Sequence, residues 1–371
     1  MLPLQFKALI LFRTVILICS LMGIAQASEV PVNSLEKTRV KINVGIYAPF
    51  SDQYAFIGRN MLAAMEMARD QLKASNIKYS FYTLDELPNT PASIEIVQKF
   101  LNTHHINIMI TEGAVNGLLV APIAKKNNII HFSMASNPAI ADGQNNFLAW
   151  SPVSEQAAVL VNTLKQKHIM HLSIITTNNA SDKILTKNVM ERLKADSQIK
   201  VVSFEQVQSG AKNYSSLINK IKNKKPELYF IMAEPEEIEL MQVAMKAAHL
   251  KTPITTIVER VTPKVIKIFD GQWYIDTHEM QPEFIAEYKE TNFNYPVAEA
   301  GYAFDIFHIL NQSVIMALKV NHKFSSHELA HQIHFLAVGT GVMGPFNLDK
   351  NGVLYTKSEV KVIKNGRVLT A

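Results

Sequence analysis

Residues 106–140 constrain the fold of this chain more than any other stretch. Two apolar runs, 106–110 and 129–132, flank a segment with helical character that begins near Asn116. Two buried strands joined by a crossover helix form a βαβ unit. Ligands of open α/β sheets bind beyond the carboxyl ends of the strands. The small polar loops that follow the two runs, residues 112–116 and 133–137, are therefore predicted to form a pocket wall.

The same alternation of strand and helix patterns continues from residue 40 to residue 258. Residues 59–72, for example, carry apolar side chains at helical spacing, whereas 41–46 and 77–82 are short runs typical of strands. Alternating strands and helices indicate an α/β protein whose parallel sheets are covered on both faces. The pattern divides near residues 151–154, and two doubly wound lobes suit 371 residues better than one large sheet.

In the C-terminal third of the chain, strand and helix patterns no longer alternate. Helices are predicted over 282–291, 298–317 and 326–337, and a β-rich tail with turn sequences such as Asn351-Gly352 follows them. A tail that completes sheets begun earlier would tie the lobes together by more than one crossover. The predicted lobes are residues 38–152 with 280–341, and residues 153–279 with 342–371.

Residues 1–27 are predicted to be a cleaved signal peptide. Lys7 and Arg13 precede an apolar run over 14–24, and Ala25-Gln26-Ala27 matches a cleavage sequence. The run is shorter than the roughly 20 residues that a membrane-spanning helix needs. The sequence therefore predicts export without a membrane anchor.

Cysteine content and charge exclude several classes of function. The single cysteine, Cys19, lies within the predicted signal peptide, so the exported chain can use neither disulfides nor thiol chemistry. The net charge of +5 becomes smaller once Lys7 and Arg13 are removed. The basic run at 220–225 follows a helical segment, and we interpret it as a solvated helix end. No nucleic-acid partner is expected.

One segment matches a metal-binding motif. In His327-Glu328-Leu329-Ala330-His331, two histidines on one helical face would hold zinc while the glutamate activates water. However, Ser325 or Ser326 suits a helix N-cap, and Leu329, Ile333 and Leu336 form an apolar stripe. We favour a surface or interface helix without metal, and a zinc hydrolase remains the alternative. Because nucleotide and nucleophile-elbow motifs are missing from the sequence, no cofactor and no catalysis are expected.

Short motifs spread along the chain carry a resemblance to a known family. They are Val44-Gly45-Ile46-Tyr47-Ala48-Pro49-Phe50, Ala121-Pro122-Ile123, Met134-Ala135-Ser136-Asn137-Pro138, Tyr302-Ala303-Phe304-Asp305, and Gly344-Pro345-Phe346 with Asp349 and Gly352. In this order they resemble the periplasmic Leu/Ile/Val-binding proteins, the type I solute-binding proteins of ABC importers. The resemblance implies two doubly wound Rossmann-like lobes joined by three crossovers that close on a ligand. It also implies a periplasmic location and delivery to an ABC transporter permease in the inner membrane, and we expect a monomer.

The resemblance also implies where a ligand binds. In relatives that bind amino acids, two hydroxyl-bearing loop residues take the α-carboxylate; here these positions are Gly113, which keeps only its N–H, and Ser136. Positions that are usually aromatic fall near Ser181 and on Glu234. The acidic partner of the α-ammonium group falls on Glu259.

Eight residues are therefore candidates for ligand binding: Tyr54, Glu112, Gly113, Ala114, Ser136, Ser181, Glu234 and Glu259. The backbone N–H groups of Gly113, Ala114 and Ser136 suit an anion. The three glutamates suit a cationic group, unless Glu112 and Glu234 form salt bridges instead. Tyr54 and Tyr47 are the predicted aromatic wall. We expect a small amino-acid-like solute (a branched-chain amino acid, amide or amine), and a ligand-sensing or envelope-regulatory role with the same fold is the alternative.

Overall fold

Three β-sheets with flanking helices make up the computed structural model, which describes residues 40–72, 76–88, 90–196, 198–258, 261–321 and 324–371. The predicted signal peptide and Glu259 lie outside the described residues. The described residues all belong to one compact unit, Arg39–Ala371.

The first half of the chain alternates strands with helices, as predicted. Its elements are β1 (Val40–Ala48), α1 (Ala55–Gln71), β2 (Ile77–Asp85), α2 (Pro91–Thr103), β3 (Ile108–Glu112), α3 (Ala114–Asn127), β4 (Ile130–Met134) and β5 (Asn146–Ala149). A second series follows: α4 (Val153–Gln166), β6 (His171–Thr177), α5 (Ala180–Ala195), β7 (Lys200–Val207), α6 (Ser215–Ile221), β8 (Leu228–Met232), α7 (Pro235–Ala247), β9 (Ile254–Thr255), α8 (Pro263–Ile268) and β10 (Trp273–Thr277).

The C-terminal part contains three helices and then five strands. They are α9 (Pro282–Asn292), α10 (Ala298–Asn321), α11 (Ser326–Phe335), β11 (Val338–Gly341), β12 (Gly344–Leu348), β13 (Val353–Thr356), β14 (Ser358–Lys364) and β15 (Arg367–Thr370). The three predicted helices and the β-rich tail are thus present at the expected places.

The strands form two parallel-dominated sheets and a smaller antiparallel one. The first sheet has the order β11-β12-β13-β5-β4-β3-β1-β2, and the second has the order β7-β6-β8-β9. The third sheet, β10-β14-β15, is linked to the second by a bridge between Ile257 and Ile275. The first sheet therefore forms one lobe, and the other two sheets form the second lobe. The predicted α/β class with two doubly wound lobes is confirmed.

The chain crosses between these lobes three times: at residues 150–152, at residues 278–281 and at Lys357. The first and third crossovers contact each other, because the Ser151 hydroxyl bonds to the Ser358 hydroxyl and donates to the Thr356 carbonyl at 3.2 Å. Such hydrogen bonds hold the strands of the hinge side by side.

The tail divides between the lobes at a different residue than expected. Strands β12 and β13 belong to the first sheet, where Leu354 of β13 pairs with Ala149 of β5. Placing residues 342–356 in the second lobe is therefore at odds with the strand pairing. We propose lobe boundaries of 40–152 with 280–356, and 153–279 with 357–371.

Helix α10 forms the centre of the first lobe's core. Its Phe307, Leu310 and Val314 are fully buried, as are Met61 and Met65 of the contacting helix α1. Among the described helices, α10 is long and apolar enough to cross a membrane by length and composition, but 61% of its apolar window is buried within the protein. It is therefore a core helix of this lobe.

Candidate functional site

A cavity of ≈ 360 Å³ lies at the carboxyl ends of strands from both lobes. Pockets for small molecules typically measure ~300–1,000 Å³. From the first lobe it is lined by Tyr54, Glu86, Glu112, Gly113, Ala114, Val115, Met134, Ala135, Ser136 and Trp150. From the second lobe it is lined by Asn179, Ala180, Ser181, Asp182, Met232, Ala233, Glu234, Pro235, Ile238, Thr256, Ile257, Val258, Thr262, Val265 and Phe269.

The structure brings the predicted site residues together. Seven of the eight line this cavity, namely Tyr54, Glu112, Gly113, Ala114, Ser136, Ser181 and Glu234. The eighth, Glu259, lies outside the described residues, although Val258 and Thr262 on either side of it line the cavity. That these residues bind a ligand stays a prediction.

Gly113 has a backbone conformation that explains why glycine stands here. Its φ of 82° and ψ of 152° lie in a region that is accessible almost only to glycine. Its N–H donates to the Met134 carbonyl at 3.0 Å, which continues the β3–β4 pairing by one residue. The prediction that this N–H is offered to a ligand is therefore wrong.

The backbone donors nearest to this position belong to the first turn of α3. The N–H groups of a first turn have no acceptor within their own helix, and Gly113, the N-cap residue, has no side chain to cap them. Ala114 and Val115 contribute this turn to the cavity wall. The helix dipole favours an anion at this end of α3.

The loop that carries Tyr54 is fixed by the end of β2. The Asp85 carboxylate accepts hydrogen bonds from the N–H groups of Phe50 at 2.7 Å and Ser51 at 3.2 Å. Slight burial alone would raise the pKa of Asp85, but hydrogen bonds from Ser51, Phe50 and Glu86 lower it below its ordinary value. Asp85 is therefore charged at neutral pH and anchors the loop, and its neighbour Glu86 faces the cavity.

A buried polar network joins three neighbouring strands of the first sheet. His131 on β4 is fully buried, with Nδ1 at 2.8 Å from Asn146 Oδ1 and Nε2 at 2.9 Å from Thr111 Oγ1. Burial lowers the pKa of His131 to about 4, against the smaller raising effects of Asn146 and Asp142. The imidazole is therefore neutral at pH 7, and it links β3, β4 and β5 within the sheet.

The aromatic wall of the first lobe differs from the predicted one. Tyr54 lines the cavity, whereas Tyr47 is fully buried and its hydroxyl accepts from the Leu87 N–H at 3.3 Å. Trp150 lines the cavity instead, and its ring packs 4.5 Å from that of Tyr302. Trp150 and Glu86 were not predicted to line the cavity, although each directly follows a strand, where ligands of open α/β sheets bind.

In the second lobe, Asp182 is a buried carboxylate of the cavity wall. Its carboxylate accepts from the Thr177 hydroxyl and from Asn179 Nδ2 at 2.7 Å. The pKa of Asp182 is raised to about 6, chiefly by burial and to a smaller extent by nearby Glu234 and Glu237, while the hydrogen bonds from Thr177 and Asn179 oppose the shift. The protonation state of this buried carboxylate, at the start of α5, therefore changes at a pH just below neutral.

Two glutamates near Asp182, Glu234 and Glu237, differ in their surroundings. Glu237 is buried and accepts from the Tyr214 hydroxyl at 2.8 Å and the Gly210 N–H at 2.7 Å. It also accepts from the backbone N–H of Glu234 at 3.3 Å, at the start of α7. Glu237 therefore connects the start of α7 to residues 210 and 214, which lie near the start of α6, whereas Glu234 lines the cavity.

The zinc-like segment lies in helix α11. Ser325 caps the helix by accepting from the Glu328 N–H at 3.1 Å, and Leu329 and Ile333 are buried, as the helix interpretation predicts. Gln332 donates to the Glu328 carboxylate at 2.6 Å. Within the described part of the chain, no group of three His, Cys, Asp or Glu side chains is arranged to hold a metal ion.

A protein-family model matches more than half of the chain. The family model described as periplasmic binding protein matches residues 41–263. The chain belongs to the periplasmic binding protein family. This finding confirms the resemblance seen in the sequence, and among curated proteins no relative matches.

Solved structures of periplasmic binding proteins show the same fold. The leucine binding protein LivK from Thermotoga maritima is 18% identical, with a TM-score of 0.77 over 89% of this chain and 97% of that chain. A substrate-binding protein from Desulfitobacterium hafniense in complex with Leu is 18% identical, with a TM-score of 0.75 over 89% and 100%. An R. palustris solute binding protein in complex with benzoate is 15% identical, with a TM-score of 0.73 over 89% and 95%.

At these identities the similarity establishes the type I periplasmic binding protein fold, with this chain as a divergent member. Periplasmic binding proteins bind solutes and are generally not enzymes, and membership of the family implies a periplasmic location. The cavity between the two lobes is the place where this periplasmic binding protein can hold a small molecule.

Proposed function

We propose that the protein captures a small amino-acid-like solute, such as a branched-chain amino acid, an amide or an amine, in the cavity between its lobes. It then delivers the solute to the permease of an ABC importer in the inner membrane, and acts as a monomer without catalysis or cofactor. The observation that carries the proposal is the cavity itself, to which strand ends of both lobes contribute.

Carboxylates support a ligand with an ammonium group. Glu86, Glu112, Asp182 and Glu234 line the cavity. Asp182 is nearly completely buried, so an ammonium group beside it would replace water that the carboxylate has lost. Glu259 remains a further acidic partner on sequence grounds.

The first turn of α3 supports a ligand that also carries a carboxylate. The N–H groups of Ala114 and Val115, together with Ser136, are the donors that replace the Gly113 N–H in this role. Known neighbours with this fold hold leucine or benzoate, both of which carry a carboxylate. An α-amino acid would thus place its two charged groups near opposite lobes.

Closure of the lobes gives such a site its specificity. A ligand that touches both lobes stabilises the closed arrangement by its differential affinity. Enclosure removes water from the charged groups, so a solute that leaves one of them unpaired loses about 1–3 kcal/mol per group. The few polar groups of the wall therefore select among solutes of similar size.

A ligand screen tests the proposal. Protein is unfolded and refolded to remove copurified ligand, then screened against amino acids, amides and amines by thermal shift and isothermal titration calorimetry. We expect at least one member to raise the melting temperature and to bind with one-to-one stoichiometry. No stabilisation by any of these classes would refute the proposal, whereas binding without co-purification of a permease would favour the sensing role.

A further inference from the structure

We infer that the protein has a second ligand site, at its hinge, for a small organic cation such as an aliphatic primary amine, and that the bound cation biases the angle between the lobes. The site is a cavity of ≈ 240 Å³, which we call the hinge cavity. No described residue lines both this cavity and the one described above. The inference therefore goes beyond the proposed function, which concerns the other cavity.

The walls of the hinge cavity come from both lobes and from the second crossover. Ile57 of α1 and Val297, just before α10, belong to the first lobe, whereas Val368 of β15 belongs to the second lobe. The crossover contributes residues 278–280. A molecule in the hinge cavity therefore contacts both lobes and the chain segment that joins them.

Hydrogen bonds anchor this crossover to a different lobe on each side of Met280. On one side, the Glu279 carboxylate accepts from the Thr370 hydroxyl of the second lobe at 2.9 Å. On the other side, the Gln281 N–H donates to the Val342 carbonyl of the first lobe at 2.8 Å. Because the backbone near Met280 must change when the lobes move, a molecule that packs against Met280 stabilises one lobe angle over others.

The basic side chains of the wall face carboxylates of the protein. Lys361 Nζ lies 3.3 Å from Asp276 Oδ2, and both side chains are buried. His278 Nε2 lies 3.1 Å from Glu359 Oε1. An anionic ligand would have to compete with these carboxylates for its partners, so the wall disfavours an anion.

Two further carboxylates of the wall favour a cation. Glu299, in the first turn of α10, is 4% exposed, and Glu279 lines the cavity from the crossover. A buried carboxylate has lost water, and an ammonium group beside it forms a charge-assisted hydrogen bond. We expect Glu299 to be the main partner, because Glu279 is exposed and its charge is screened by water.

The size and the apolar part of the wall define the rest of the ligand. The volume equals that of about eight water molecules, since one occupies about 30 Å³. Apolar side chains cover much of the wall, among them Phe56, Ile57, Ile285, Val297 and Met343. An alkyl chain gains affinity there, because each buried methylene group is worth about a fourfold change in the binding constant. Pentylamine combines this size with an ammonium group.

Calorimetry with pentylamine tests the inference. It is performed on Ser181→Trp, whose added side chain blocks the cavity between the lobes, so that binding there does not contribute. We expect one-to-one binding of pentylamine, and at least tenfold weaker binding of 1-pentanol and pentanoate, which have the same chain without the ammonium group. Absence of pentylamine binding, or equal affinity for pentanoate, would overturn the inference while leaving the proposed function intact.

Two pairs of variants in the same background locate the binding. Val368→Trp fills the hinge cavity and should abolish pentylamine binding, whereas Leu369→Trp, on the opposite face of β15 and 45% exposed at that position, should not change it. Glu299→Gln should weaken pentylamine at least tenfold and 1-pentanol less than threefold, and the exposed Glu283→Gln of α9 should change neither. If circular dichroism shows that Val368→Trp does not fold, the second pair decides. Equal pentylamine affinity within a folded pair would overturn the inference.

Spin labels test the effect on the lobe angle. Because Cys19 lies in the predicted signal peptide, labels can be attached specifically to Lys99→Cys on α2 and Lys194→Cys on α5, exposed positions of the two lobes. Double electron–electron resonance should show that pentylamine narrows the distribution of distances between the labels in Ser181→Trp, and that Val368→Trp abolishes this change. A distribution that bound pentylamine leaves unchanged would overturn the inference.

Discussion

The backbone N–H of Gly113 donates a hydrogen bond to the carbonyl oxygen of Met134 across 3.0 Å. The bond extends the pairing of β3 and β4 beyond its last strand residues, Glu112 and Met134. It holds Gly113 at a positive φ and removes its N–H from the set of donors for a ligand. Under the proposed function, an anionic group of the solute would therefore bind at the first turn of α3.

Restoring the serine that the family resemblance expects should destabilise the protein. In Gly113→Ser the side chain would have to adopt a glycine-only backbone conformation, at a cost of about 1–3 kcal/mol. Urea unfolding should show this loss, and ligand affinity should not improve. The control Ala114→Ser adds the same hydroxyl one residue later, at a helical position, and should be nearly neutral. Equal stability of the two variants would contradict the conformation described for Gly113.

Removing the Asp182 charge should stabilise the ligand-free protein at neutral pH. The folded-state pKa of about 6 lies above the ordinary value of 3.8, so stability declines as pH rises from 3.8 to 6. Asp182→Asn removes this effect while its amide oxygen can still accept from Thr177 and Asn179. We expect a gain of about 2–3 kcal/mol at pH 7.5 and none from this source at pH 3.5. A stability difference that is independent of pH would refute the shift.

His131 should make the protein sensitive to acid. Its folded-state pKa of about 4 lies below the ordinary value of 6.5, so the stability present above pH 6.5 is lost as pH falls towards 4. The loss amounts to about 3 kcal/mol. Denaturant unfolding between pH 4 and 7 should show a smaller acid-induced loss for His131→Gln than for the wild type, even though the variant is less stable at pH 7. Parallel pH profiles would show that His131 is not the responsible group.

Removing individual polar side chains of the proposed site should weaken ligand binding. Ser136→Ala and Glu259→Ala should each weaken a ligand found in the screen by about 1–3 kcal/mol, because each leaves a buried polar group of the ligand without its partner. Ser215→Ala, on helix α6 and away from the cavity, is the control. Unchanged calorimetric affinity for Ser136→Ala or Glu259→Ala would reject the assignment of that residue to the site.

Much of the fold could be predicted because local patterns determine it. The buried runs that became β3 and β4 and the periodic residues of α1 each specify an element without knowledge of distant contacts. Other elements depend on partners far away in the sequence. Strand β10 contains Asp276, whose charge pairs with Lys361 of β14 at 3.3 Å, and no local pattern reveals this ion pair.

The place of the tail was hard to predict for the same reason. Strand β13 pairs with β5, which lies about two hundred residues earlier, and its alternation of side chains would fit an edge of either sheet. Helix α8 was not predicted because its six residues are too few to show helical periodicity.

The candidate site was predictable where it follows strand ends. Gly113, Ala114 and Ser136 were found by this rule and by the resemblance, and Trp150 and Glu86 obey the same rule. The apolar residues of the second-lobe wall could not be found in this way. Ile238 and Val265 have the spacing of ordinary core residues, and only the packing of α7 against α8 brings them to a cavity.

If the solute binds in the cavity between the lobes, a bulky side chain introduced into its second-lobe wall should prevent binding. Ser181 lines the cavity in the first turn of α5, whereas Lys183 in the same turn is exposed. We expect calorimetry to show that Ser181→Trp weakens the best ligand of the screen at least a hundredfold, whereas Lys183→Trp binds like the wild type. Full affinity in folded Ser181→Trp would show that the solute binds elsewhere and would contradict the account.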